Sequence, residues 1–238
     1  MSINYHAYQN RGFAFSTFEE IEKQWTGRFA LFNPERIAGI LDLPYDENFL
    51  YIRYFGEEYR LNLRLGRIEK KSGEPYIPEV DPDRVPLEEG WHGKLLANEA
   101  MAIYHILFYT VDNPVLSGNL VQNASLDPRH VRHPQEDVLF NDFLKHFPKG
   151  TSALRAACEA AGGQALDSKA DLCFIFHPFP QIPMQLNYWE ADEDFPAQVK
   201  VLVDEKITDY VHVETTGCMV SDLFERIICA KIKNNHVF

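Results

Sequence analysis

The chain has 238 residues, 45% of them hydrophobic and 24% charged. At about 150 residues per domain that is one large domain or two small ones. Lys plus Arg number 23 and Asp plus Glu 35, a formal charge of −12. That balance argues against a nucleic-acid binder or a protein drawn to anionic membranes, since both draw affinity from cationic side chains.

No apolar run approaches the roughly 18–20 residues of a membrane span. The first fifteen residues are polar and aromatic, with no basic stretch leading into an apolar one, so no secretory signal is expected and a cytoplasmic location is. Cys158, Cys173, Cys218 and Cys229 show no C-x-x-C spacing. They read as free thiols rather than as zinc or iron–sulfur ligands. No P-loop, dinucleotide fingerprint, G-x-S-x-G or H-E-x-x-H is present, so no cofactor is signalled.

In chain order, Thr17, Glu19 and Glu20 open a helix over 17–30, with Phe18, Ile21 and Trp25 at helical spacing. Asn33-Pro34 caps and starts a second, with Ile37, Ile40 and Leu41 as its apolar stripe. Residues 49–65 predict a hairpin turning at Gly56-Glu57. Tyr59, Leu61, Leu63 and Leu65 lie on its buried face, and Arg60, Asn62 and Arg64 on its wet face. Pro75, Pro78, Pro82 and Pro86 mark 71–93 as a long loop, linker or lid. Residues 94–109 form the most apolar helix, which should be central. Residues 112–137 read as irregular with a short strand at 119–122. Helices follow at 138–146 and 151–161, the latter stopped by Gly162-Gly163. Strands are predicted at 171–177, 182–189 and 197–203, and a last helix at 215–232.

Such segregated runs favour an α+β fold. The expected architecture is a single domain over 1–238 with one mixed or antiparallel sheet flanked by helices. That sheet would join the N-terminal hairpin to the C-terminal three-strand unit, ahead of the terminal helix.

The segment from Phe179-Pro-Gln-Ile-Pro183 to Trp189-Glu-Ala-Asp-Glu-Asp-Phe-Pro196 resembles the signature of a prokaryotic family of unknown function, number 3786 among such domains. The strand ending in Asp204, then Tyr210, the 95–110 helix, Gly118-Asn119 and 160–166 also look like that family, so the resemblance spans about 33–230. Ala191 stands where the pattern has glycine. The resemblance implies frequent fusion to a four-cysteine iron–sulfur domain in anaerobes, and hence a setting in one-carbon or corrinoid metabolism. The scattered cysteines here do not make such a cluster motif. It implies no agreed activity.

Four groups of residues are candidates for function. Residues 190–214 hold eight acids and two bases, a net of −6 in 25 residues. Tyr188, Trp189, Glu190, Asp192, Glu193, Asp194 and Phe195 would form an acidic–aromatic turn. Its plain reading is a solvated hairpin tip; the alternatives are docking of a partner protein and a hard-cation site. His130 and His133 lie three apart, a helical metal-ligand spacing, but Pro128 and Pro134 bracket them and favour a loop. His177 ends a strand and sits about 13 Å from Cys173. His105 borders the apolar helix and reads as a hydrogen-bonded core residue; His92 precedes that helix. Cys229 shares a helical face with Asp222 and Glu225, which would raise its pKa. The leading expectation is a non-catalytic accessory domain docked to a protein partner. Its rival is a metal- or tetrapyrrole-dependent enzyme using His130, His133 or His177.

Overall fold

The computed structural model describes residues 18–71, 90–93, 95–126, 134–147 and 151–235. The N-terminal part is helix α1 (Phe18–Arg28), a 3₁₀ turn and α2 (Pro34–Leu41). Asn33 caps α2 by accepting the Arg36 N–H on Oδ1 at 2.9 Å, with Pro34 in the first helical position.

The fold is α+β, but its strands make two antiparallel sheets, not one. The first takes β1 (Phe49–Tyr54), β2 (Glu57–Asn62), β3 (Arg67–Lys71) and β4 (Trp91–His92) in chain order. The second takes β5 (Leu120–Gln122), β6 (Gln164–Ala165), β7 (Leu172–Phe179), β8 (Ile182–Trp189) and β9 (Gln198–Asp204), in the order β5-β9-β8-β7-β6. The expected single sheet fails because the hairpin recruits partners of its own. Arg67–Lys71 is mostly charged and shows no strand alternation, so β3 is not visible as a strand in sequence.

Arg60 explains how such residues can pair. It was expected on the wet face of the hairpin, yet it is 3% exposed. Its Nε lies 2.6 Å from Glu69 Oε2 on β3, and its guanidinium lies between the rings of Phe49 (3.8 Å) and Trp91 (4.2 Å). The second face of this sheet is therefore closed by a buried ion pair and aromatic rings. Within 71–93, Lys71 ends β3, and Trp91 and His92 pair with Lys71 and Lys70. The remainder of that expected loop, 72–89, lies outside the described residues.

The β1–β2 turn is Phe55-Gly56, both at positive φ (47° and 78°), one residue earlier than expected. Phe55 N donates to Pro178 O on β7 at 2.7 Å, tying one sheet to the other at a register shift where proline has no N–H to offer. β2 ends at Asn62, so Leu63 and Leu65 lie in the following turn.

Helix α3 (Ala97–Tyr109) is central as expected. Helix α4 (Pro134–His146) starts four residues before its apolar stripe, on a proline in the first position. Helix α5 (Thr151–Ala160) ends at Gly162, whose φ is +86°. Helix α6 (Val213–Asn235) packs against α3 and α5 and stacks Phe224 on Phe143 of α4 at 4.1 Å. One cluster of buried apolar side chains runs through both sheets and these helices.

A Cβ on Gly163 would meet Phe176 Cζ at 2.6 Å and the Cys158 carbonyl oxygen at 2.9 Å. Gly163→Ala is expected to cost about 1–3 kcal/mol, read as a lower urea midpoint at unchanged slope. An unchanged midpoint would contradict this packing.

Candidate functional site

The acidic–aromatic turn does not form one acidic surface. Asp192 Oδ1 accepts the N–H groups of Asp194 (2.9 Å) and Phe195 (2.7 Å), fixing a tight turn in which Asp192, Glu193 and Asp194 are exposed. Glu190 N–H donates to Asp171 Oδ2 at 2.7 Å. Strand β9 then carries the chain about 20 Å away to Asp204. Asp204 is buried and accepts from Ser117 N and Oγ, Gly118 N and Lys206 N. Burial works to raise its pKa, and those hydrogen bonds outweigh burial and lower it. Three of the eight acids thus lie beyond the far end of the strand, and Asp204, its last residue, is a structural brace. Of the aromatics, Tyr188 is sealed in the core, its hydroxyl without a hydrogen-bond partner among the described residues, and Trp189 is half-buried with the Lys200 ammonium 5.3 Å from its ring. Phe195 alone of the three is open, at 64% exposure.

His130 and His133 lie outside the described residues. His177 is exposed on β7, and Cys173 is buried. Among the described residues, no group of three or more His, Cys, Asp or Glu side chains could hold a metal ion. No helix among them is long and apolar enough to cross a membrane.

The structure instead assembles a pocket of about 330 Å³ where α1, α3 and the start of α6 meet. Gln24 and Trp25 come from α1, Met101, His105 and Tyr109 from α3, and His212, Glu214, Thr215 and Cys218 from the α6 end. The spacing 101, 105, 109 places one side chain per turn on a single face of α3. His105 is buried, and its Nδ1 pairs with Thr215 Oγ1. His212 precedes α6 and accepts the Glu214 N–H on Nδ1 at 3.4 Å, the position of an N-cap. The two imidazole centroids lie 6.0 Å apart, and Trp25 and Tyr109 meet His105 edge-on at 5.1 and 4.9 Å. Burial first, then His212 and Arg28, push the His105 pKa down to about 4, so it is neutral at physiological pH.

A polar seam continues from the pocket along α6 through Thr215, Cys218, Asp222 and Arg226, which repeat at helical spacing. Asp222, expected on a polar face beside Cys229, is 3% exposed and accepts the Tyr54 hydroxyl at 2.7 Å. Burial, then Glu99, push its pKa up to about 8. Beyond it, Arg226 reaches Glu57 (2.5 Å) and Glu99 (3.3 Å), and Lys70 reaches Glu99 (2.9 Å) and Glu57 (3.1 Å). The Tyr59 hydroxyl donates to Glu99 at 2.9 Å. Burial, Asp222 and Glu214 raise the pKa of the Cys218 thiol, so it is no nucleophile.

The family described as a domain of unknown function, DUF3786, matches residues 33–226. The chain belongs to that family. The match takes in α2 through most of α6, and so the α3 and α6 walls of the pocket, while Gln24 and Trp25 of α1 lie before it. No curated protein and no solved structure matches the chain.

Of the pocket residues, sequence singled out His105 beside the apolar helix, Glu214 at the end of the acidic run and Cys218 among the free thiols. His212, Tyr109 and Thr215 gave no signal. Tyr109 follows His105 by one turn of α3, whereas His212 and Thr215 join it only when α6 packs on α3, more than a hundred residues away in the chain.

Proposed function

We propose that this chain is a binding domain that holds a small organic molecule in the pocket between α1, α3 and α6. One observation carries this reading. Trp25 is only 2% exposed yet lines the pocket, and its buried indole Nε1–H has no hydrogen-bond partner among the described residues. Buried polar atoms are almost always paired, so an unpaired indole N–H on a pocket wall supports an external partner. The pocket's size and the rings of Trp25 and Tyr109 in its wall suit a ligand of one or two rings. The neutral imidazole and the high-pKa thiol favour holding over chemistry.

The test follows the Trp25 indole N–H and the histidine ring signals by NMR while small aromatic compounds are added. A subset of compounds should move Trp25, His105 and His212 together. Met101→Trp, which fills the pocket from α3, should abolish the response with circular dichroism unchanged. If no compound moves these signals, the pocket is not a binding site.

A second reading, docking of a protein partner on the acidic turn, is favoured by the exposed Phe195 ringed by Asp192, Glu193 and Asp194. Glu193→Lys, Asp194→Lys and Phe195→Ser together leave the core untouched. They should remove the proteins that the wild-type chain captures. Identical captures by both would dismiss docking there. The one-carbon or corrinoid setting implied by the resemblance draws no support from any of these residues.

A further inference from the structure

The pocket has a polar end and an apolar body, and the charges around the polar end are one-sided. Both imidazoles are pinned through Nδ1 to the first turn of α6, by Thr215 and by Glu214 N–H. That leaves both Nε2 atoms for a ligand. The same turn is the N-terminus of a 23-residue helix, whose macrodipole favours negative charge. Arg28 packs its guanidinium 4.8 Å from the Trp25 ring centroid. After burial, His212 and Arg28 are the neighbours that disfavour a charge on His105, and no carboxylate offsets them there. The one carboxylate in the lining is Glu214, on the rim: its side chain is 73% exposed, and its Oε2 lies 3.6 Å from His212 Nδ1. The other titratable liners are His212, Tyr109 and Cys218, the last a thiol whose pKa burial raises.

We infer that the ligand is a small organic acid, with its carboxylate against the Nε2 atoms of His105 and His212 and its apolar body on Trp25, Met101 and Tyr109. This rests on the pocket being a binding site. A carboxylate supplies the negative charge that the buried imidazole lacks. It therefore stabilises the imidazolium form, and binding takes up a proton. The sign follows: affinity rises as pH falls through the histidine range. Glu214 opposes the ligand at the rim, so removing its charge should strengthen binding.

The probe is benzoate, with benzyl alcohol and benzylamine as neutral and cationic counterparts and inorganic phosphate as the anion without an apolar body. Binding is measured by calorimetry and by the Trp25 and histidine NMR signals at about pH 5.5 and 7.5. Benzoate should bind, roughly tenfold more tightly at the lower pH, and move His105 and His212. Glu214→Gln should strengthen it several-fold. His105→Gln should abolish it with circular dichroism unchanged, and should that substitution disturb folding, His212→Gln must weaken it. Benzyl alcohol or benzylamine binding at these residues in place of benzoate would overturn the carboxylate and leave the pocket reading standing. Phosphate binding alone would do the same. Benzoate binding without pH dependence, or unaffected by both histidine variants, would also overturn it. No binding by any of the four, with no aromatic compound moving the signals, would remove both readings.

Discussion

Replacing Glu69 by alanine is expected to lower the melting temperature by roughly 10 °C, at about 2–4 °C per kcal/mol for a chain of this size. Arg60 and Glu69 are each 3% exposed and meet at 2.6 Å across β2 and β3. Taking the carboxylate away removes the close ion pair at Nε from a guanidinium buried between Phe49 and Trp91. Breaking such a pair costs about 3–5 kcal/mol, whereas replacing both partners with apolar residues of similar volume is often neutral. Arg60→Met with Glu69→Leu should therefore recover most of the loss. Thermal unfolding of the three variants reads the difference. A Glu69→Ala protein as stable as wild type would mean that the guanidinium finds water, and that β3 is not held against β2 as described.

Asp222→Asn is expected to stabilise the fold in alkali and leave it almost unchanged in acid. Burial and Glu99 raise the Asp222 pKa from 3.8 to about 8. The native state therefore keeps a proton that the unfolded chain gives up near pH 4. This is the reverse of the usual carboxylate case: stability is fullest below the unfolded pKa, falls between about pH 4 and 8, and is level above. Asparagine keeps an acceptor for the Tyr54 hydroxyl and never ionises. The gain in melting temperature should be near zero at about pH 4 and on the order of 10 °C at about pH 8.5. His105 acts in the opposite sense: its lowered pKa removes stability as pH falls from 6.5 towards 4, in the variant as in the wild type. The difference between the two proteins isolates Asp222. An equal shift at both pH values would show that packing, not protonation, separates them.

Both predictions rest on charges that pattern reading assigns to solvent. Arg60 alternates with Tyr59 and Leu61, and by period alone belongs outside. It is buried because β3 and β4 cover its face, and neither strand shows in sequence: Arg67–Lys71 is largely ionic and Trp91–His92 is two residues long. The single expected sheet became two for the same reason. Asp222 lies in a helix whose stripe of Met219, Leu223 and Ile227 was legible. What packs on the flank of that stripe was not, because Tyr54 lies 168 residues away.

Sequence by itself determined the local grammar: the Asn33-Pro34 start of α2, the stop at Gly162, the hairpin at Gly56, the strands β7 to β9, the apolar run of α3 and the family signature from Phe179 to Pro196. These depend on capping, φ preference and periodicity, which act over a few residues. Only the tertiary structure decided the number of sheets, the burial of Arg60, Glu69, Glu99 and Asp222, the dispersal of the acidic run along β9, and the meeting of His105 with His212. Those depend on which faces are brought together across a hundred residues or more, and burial, not residue type, then sets each group's charge and partners.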